Sequence, residues 1–216
     1  MKILIACEES QAVCIAFREA RHEAYSCDIL DCSGSHPEWH IKGDAIKEAY
    51  SGKYDMMIAH PPCTYLTVSG ARWLYNKDGS KNIKRWKNKA DGLAFFIKLY
   101  NAPIGKICLE NPIGMISSEF KKPSQIIQPY YFGDEAQKTT CLWLKNLPLL
   151  IHYKEDTLYH EKTHVKPQTY ITGTGKTYDK WWFETCMISD LKLRAEARSK
   201  TFPGIAKAMA EQWGNL

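Results

Sequence analysis

Tyr54-Asp55-Met56-Met57-Ile58-Ala59-His60-Pro61-Pro62-Cys63 is the stretch on which the reading of this chain turns. A short apolar run with no polar alternation has the pattern of a strand buried on both faces of a parallel sheet. It runs directly into a corner built on two prolines, whose fixed φ stiffens the backbone. The residue presented by that corner is a cysteine.

The flanking sequence repeats the theme. Lys2–Cys7 reads as a buried strand, Ala12–Arg21 as a helix, Glu23–Ile29 as a strand ending near Asp28, and Asp31–Lys42 as a loop. Asp44–Tyr50 reads as a short helix and Tyr54–Ala59 as a strand. Ser69–Ala90 reads as a long polar loop, Asp91–Tyr100 as a helix, and Lys106–Leu109 as a strand that ends at Glu110-Asn111-Pro112. Strands alternating with helices imply an α/β fold with a mainly parallel sheet. Ligands bind beyond the carboxyl ends of the strands in such sheets, which is where Glu8, Asp28, Cys63 and Glu110 fall. Beyond Gly114 the pattern weakens. Tyr130–Leu150 holds one or two strands, Ile151–Asp190 reads as an inserted aromatic and polar lobe, and Leu191–Gln212 returns to helix with a break at Phe202-Pro203-Gly204.

The 216 residues, 44% of them hydrophobic, suffice for one compact domain with a small appendage. A formal charge of +5 permits a polyanionic partner without demanding one. No apolar run approaches the roughly 20 residues of a membrane span. The opening apolar run is cut short by Glu8-Glu9, which argues for a strand rather than a signal peptide. The eight cysteines are expected to be reduced, and none forms a Cys-x-x-Cys pair.

A thiolate is a strong nucleophile, and the acid that complements it is Glu110, at the end of a neighbouring strand. Attack of sulfur on C6 of a cytosine makes C5 nucleophilic when N3 is protonated or strongly hydrogen-bonded, which a carboxyl group can arrange. C5 can then take a methyl group from a sulfonium donor. An isolated cysteine is more often a small buried hydrophobe; the pairing of strand–Pro-Pro-Cys with strand–Glu-Asn favours chemistry.

Over about residues 1–116 these motifs resemble, in order and spacing, the DNA cytosine-5 methyltransferase family. His60-Pro61-Pro62-Cys63 resembles its nucleophile motif and Ser69-Gly70 the start of its mobile catalytic loop. Leu109-Glu110-Asn111-Pro112 resembles its Glu-Asn-Val motif. Asp28 resembles the residue that holds the cofactor ribose, and Gly43-Asp44 the pair that meets the adenine amino group. Arg198–Trp213 loosely resembles the C-terminal motif. The resemblance implies a Rossmann-like fold dependent on S-adenosylmethionine, with a catalytic domain over 1–150, a small target-recognition-like lobe over 151–190, and a returning C-terminal helix over 191–216. It implies Cys63 and Glu110 as catalytic residues. For the cofactor it implies Cys7, Glu8, Ser10 and Gln11 after the first strand, Asp28 and Ile29 after the second, Asp44 and Ala45 at the next helix, and His60 with Pro61. The partner implied is DNA, with RNA or a free nucleotide as alternatives, acting in the cytoplasm (that of the host for a phage-encoded member) as a monomer or homodimer.

Three departures stand out. The first loop, Ala6-Cys7-Glu8-Glu9-Ser10, lacks the family's glycine-rich turn, which leaves cofactor contacts to other backbone groups and the next helix N-terminus. The family's Gln-x-Arg-x-Arg motif aligns with Gln137–Cys141, where Thr139 and Cys141 replace the arginines; Lys138 stands nearby but lacks the planar fork. The lobe is also small, which resembles compact members from bacterial viruses.

Among the remaining features, basic and aromatic residues interleave over Ser69–Ala90. Ser69, Arg72, Trp73, Lys84 and Arg85, with Lys138, suit phosphate contact and stacking, and such a loop can serve as the wedge that extrudes a base. Cys27, Cys32, His36 and His40 read as loop residues rather than a metal site, and His152, His160 and His164 as surface residues. Gly173–Thr177 lacks the leading glycine and preceding strand of a phosphate-binding loop. Trp181-Trp182-Phe183 reads as the core of the lobe rather than a base-stacking surface. Pro-Pro followed by an aromatic marks amino-group methylation; Cys63 in that place disfavours it. A non-catalytic protein that occupies S-adenosylmethionine or DNA sites is the rival from another class, and the intact Cys63 and Glu110 argue against it.

Overall fold

The computed structural model describes residues 1–216. Seven strands form one sheet: β1 (Lys2–Ala6), β2 (Glu23–Asp28), β3 (His40–Lys42), β4 (Met56–Ala59), β5 (Lys106–Pro112), β6 (Gln125–Ile127) and β7 (Thr140–Lys145). Their spatial order is 3-2-1-4-5-7-6. β1 to β5 are parallel, with Leu4 opposite both Tyr25 and Met57, while β7 runs antiparallel to β5 and β6. This is a doubly wound, Rossmann-like α/β sheet, the class expected from the sequence. The chain moves outward from β1 to β3 and then returns to β4, so the topological switch lies between β1 and β4, where the fold opens a crevice.

Side-chain alternation divides the core into two layers. On one face Ile3, Ile5, Met56 and Ile58 pack with Val13 and Phe17 of α1 (Ala12–Glu19) and Met209 and Trp213 of α7 (Pro203–Trp213). On the other, Leu4, Met57, Ile107 and Leu109 meet Ala45 and Ala49 of α2 (Ala45–Ala49) and Phe96 and Leu99 of α3 (Ile83–Tyr100). Trp143 of β7 is fully buried edge-on to Phe96 and donates its indole N–H to the carbonyl of Lys121.

Several sequence expectations are corrected. The segment expected as loop over 31–42 ends in β3, whose three residues are too short for a periodic signal. The polar stretch over 69–90 is not a long loop: Val68–Leu74 forms 3₁₀ turns and α3 begins at Ile83, capped by the Asn82 side chain on the Arg85 N–H. Packing also supports this half of α3, because Lys89 is buried in an ion pair with Glu119 of α4 (Ile116–Glu119). Residues 169–179 form a hairpin, β8 (Thr169–Ile171) and β9 (Thr177–Asp179), followed by α5 (Lys180–Met187) and α6 (Leu191–Ser199). His152 and His164 are not simple surface residues; they share a 2.7 Å hydrogen bond and both stack on Tyr131.

Candidate active site

Cys63 sits where the chain leaves β4. His60 N–H donates to the Ala6 carbonyl at 2.9 Å, which carries the strand pairing one step past the sheet. Pro61 and Pro62 follow, and the Cys63 carbonyl then accepts from Leu66 and Thr67 N–H at 2.9 and 3.1 Å, closing a single turn. Leu66 in turn accepts from Met115 N–H at 2.8 Å. Gly114 lies so close to Leu66 that a Cβ there would collide with the Leu66 carbonyl. The turn bearing the thiol is therefore fastened to the segment that follows β5.

Glu110 is on β5, one register step beyond the Ala59–Leu109 pair of β4 and β5. A cleft of about 390 Å³ opens beyond these strand ends, and Cys63 and Glu110 both line it. Cys7, Glu8, Ser10, His60, Pro61, Ser69 and Lys138 line it as well. Nine of the eighteen residues singled out from the sequence thus surround one space. From the far side it is closed by Trp181 and Trp182 of α5 and Arg198 of α6, which sequence reasoning did not assign to the site. The sequence pattern of the tryptophan pair points to lobe core, but Trp182 is 45% exposed and faces the cleft with Trp181.

The electrostatics are specific. Burial pushes the Cys63 thiol up, the Glu110 charge adds to that, and Lys138 opposes both. Glu110 behaves the other way. Burial would raise its carboxyl, but the hydrogen bond from His60, the charges of Lys138 and His60, and the Thr140 hydroxyl hold it below its ordinary value. His60 Nδ1 lies 3.3 Å from Glu110 Oε2. Lys138 donates from Nζ to the carbonyls of Arg198 at 2.9 Å and Lys200 at 3.5 Å, so its ammonium is fixed by the end of α6.

The loop after β1 holds a surprise. Glu8 is 3% exposed and accepts from Val13 N–H at 2.7 Å and Cys14 N–H at 3.2 Å. It closes the N-terminus of α1, so those two amides are not open to an anion, contrary to the expected use of that helix end. Gln11 is fully buried in a left-handed backbone conformation and binds His36 through both ends of its amide, away from the cleft. Asp28, Ile29, Asp44 and Ala45 lie outside the cleft lining, along the ends of β2 and the start of α2. Asp28 Oδ1 accepts from Leu30 N–H and Asp44 Oδ1 from Ile46 N–H, which leaves Oδ2 of each as an acceptor. Ile29 is 75% exposed beside them. Two acceptors and an uncovered apolar side chain suit the hydroxyls, amine and ring face of an adenine nucleoside. Glu9, which lines the cleft and is not engaged as Glu8 is, offers an acidic group to a cationic sulfonium, so the groups left free fit S-adenosylmethionine.

The remaining nucleic-acid candidates lie outside the cleft. Arg72 rests over the Trp73 ring, Arg85 lies over Tyr65, and Lys84 is exposed on the first turn of α3.

No family model and no curated protein matches the sequence. Among solved structures, the chain is similar to a candidate DNA modification methyltransferase encoded within an E. coli prophage, at 12% identity and a TM-score of 0.40 over 67% of this chain and 46% of the other. It is also similar to a mutant of Spodoptera frugiperda DNMT2, at 15% identity and a TM-score of 0.37 over 78% of this chain and 57% of the other. The chain thus spans about half the length of these two proteins.

Proposed function

We propose that this chain transfers a methyl group to C5 of cytosine in DNA through a covalent bond from Cys63. The observation that carries the reading is that Cys63 and Glu110 line the same cleft at the topological switch of the sheet. In this account the sulfur of Cys63 bonds to C6 of the ring and the C5–C6 π pair shifts between C5 and C4. The N3–C4 pair takes up a proton at N3, on the edge held by Glu110. S-adenosylmethionine, when bound by Asp28, Asp44 and the loop from Cys7 to Ser10, supplies the methyl group to C5. Loss of the C5 proton to solvent, return of the N3 proton to the Glu110 edge and departure of sulfur as thiolate restore the neutral aromatic ring. The Lys138 ammonium, held by the carbonyls at the end of α6, favours the thiolate.

A second substrate class, RNA or a free nucleotide, keeps the same chemistry. It is favoured by the absence of arginine at Thr139 and Cys141 and by the modest lobe over 151–190. Incubation with radiolabelled S-adenosylmethionine and DNA, followed by nucleoside analysis, tests the proposal: label in 5-methylcytosine is expected, and its loss in Cys63→Ala. Label in an exocyclic amine, or label retained by Cys63→Ala, overturns it. Label in RNA or nucleotide but not in DNA selects the second substrate.

A further inference from the structure

His60 is the one imidazole in the cleft, and the reaction above gives it no role. Its side chain is 9% exposed. One ring nitrogen, Nδ1, faces Glu110 Oε2 at 3.3 Å, while the other, Nε2, is buried with no hydrogen-bond partner. A buried imidazole with one nitrogen on a carboxylate is normally fixed by a second bond, and an unpaired buried nitrogen costs free energy. The ring is held in place by its backbone, through the His60 N–H bond to Ala6 and the prolines that follow. The strand end thus fixes the backbone that carries the ring, and the contact with Glu110 is the one hydrogen bond that orients the ring itself.

The chemistry explains why a proton donor is needed there. An ionised carboxylate can accept from the cytosine amino group but cannot protonate N3. Glu110 is held below its ordinary value by the His60 hydrogen bond, Lys138 and Thr140 in spite of its burial, and so is ionised near neutral pH. The groups facing the pair are few. His60 is met by Glu110 from β5 and by the charge of Glu8 from the loop after β1. Glu110 is met by His60, by Lys138 and Thr140 at the entry to β7, and it shares the cleft with Cys63.

We propose that His60 is a positioning residue that stores the proton which Glu110 delivers to N3 of the target cytosine; this rests on the cytosine reading given above. As sulfur bonds to C6, His60 Nδ1 gives its proton to the ionised Glu110 carboxylate, and Glu110 passes that proton to the N3–C4 pair. His60 ends neutral, Glu110 ends ionised, and the negative charge of the thiolate is cancelled by the positive charge lost from the imidazolium. When sulfur leaves, the proton returns from N3 to Glu110 and then to Nδ1. In this account the active form of the pair carries one proton, which the 3.3 Å contact lets the two side chains exchange.

This step can be read without a methyl donor, because the C6 adduct makes C5 basic and exchangeable with water. DNA carrying tritium at C5 of cytosine is incubated with the protein alone, and tritium release is followed from about pH 6 to about pH 9. His60→Asn keeps an N–H near the Nδ1 position but cannot store a proton. It is expected to slow release by about 10²-fold, within the range of general acid–base effects, and to move the alkaline limb of the profile toward acid. Added imidazole is expected to restore release to His60→Ala. A His60→Asn protein, folded by circular dichroism, with an unchanged limb overturns the proposal. So does a slowed variant whose limb does not move and whose alanine counterpart ignores imidazole. No tritium release from the unaltered protein with labelled DNA, RNA or free nucleotide overturns the cytosine reading itself, and the role of His60 with it.

Discussion

Asn111 donates from its side-chain amide to the carbonyl of Pro61 at 2.7 Å, and this bond joins the strand bearing Glu110 to the corner bearing Cys63. It is the shortest link between the two halves of the proposed catalytic pair. Asn111 is 1% exposed and its side-chain oxygen has no partner, so its fixed donor role is not a general polar contact. Asn111→Ala leaves the Pro61 carbonyl unpaired and is expected to lower stability by about 1–3 kcal/mol in urea unfolding. Methyl transfer is expected to fall by at least about tenfold through loss of alignment, with S-adenosylmethionine affinity unchanged in calorimetry. A variant with normal transfer contradicts this role.

Gly114 makes the same junction tight from the other side. With no room for a Cβ against the Leu66 carbonyl, Gly114→Ala must displace either the Cys63 turn or the end of β5. Overpacking of this kind costs about 1–3 kcal/mol. The expected result is a lower melting temperature together with slower alkylation or faster, but changed, at Cys63; an unaltered iodoacetamide rate in a destabilised protein places the strain elsewhere.

Cys63 is half-buried; that partial burial and then the Glu110 charge raise its thiol above the ordinary range, and Lys138 opposes this. Alkylation of Cys63 by iodoacetamide, followed by peptide mass spectrometry, is expected to increase with pH and to lag behind a free thiol. Lys138→Met is expected to move that profile further toward alkali. A shift toward acid, or none, removes Lys138 from the account of thiol activation.

Glu8 carries a pH signature of its own. Burial raises its carboxyl above the ordinary value, and the amides of Val13 and Cys14 only partly offset this. The folded protein therefore holds the Glu8 proton more tightly than the unfolded chain. Its contribution to stability is full below the unfolded carboxyl range and is lost as pH rises through the raised folded value. Relative to Glu8→Gln, the unaltered protein is expected to gain stability as pH falls from neutrality toward about pH 4, the unfolded carboxyl range. Urea titrations at several pH values measure it, and a gap that moves the other way contradicts the assignment.

The strands around the site were legible because each is a contiguous apolar run: Ile3–Ala6, Met56–Ala59 and Ile107–Leu109 are all fully buried in a sheet covered on both faces. Their carboxyl ends then pointed to Cys63 and Glu110. The first half of α3 was hidden because Lys84, Arg85, Lys87 and Lys89 obscure its period, although Asn82 supplied a usable capping signal. Nothing in the sequence says that Glu8, an acid four residues before a helix, folds back onto its first amides while still lining the cleft. The His60–Glu110 contact joins positions 50 apart and depends on the pairing of β4 with β5, which no local pattern encodes.

The most direct test of the central claim is the mass of the protein after incubation with S-adenosylmethionine and a duplex containing 5-fluorocytosine, in which the fluorine at C5 prevents release of the enzyme. The account predicts a denaturation-resistant complex whose mass is the sum of protein and methylated strand, with the bond mapped by peptide sequencing to Cys63. A folded, cofactor-binding protein that forms no such complex, or one bonded through another residue, contradicts it.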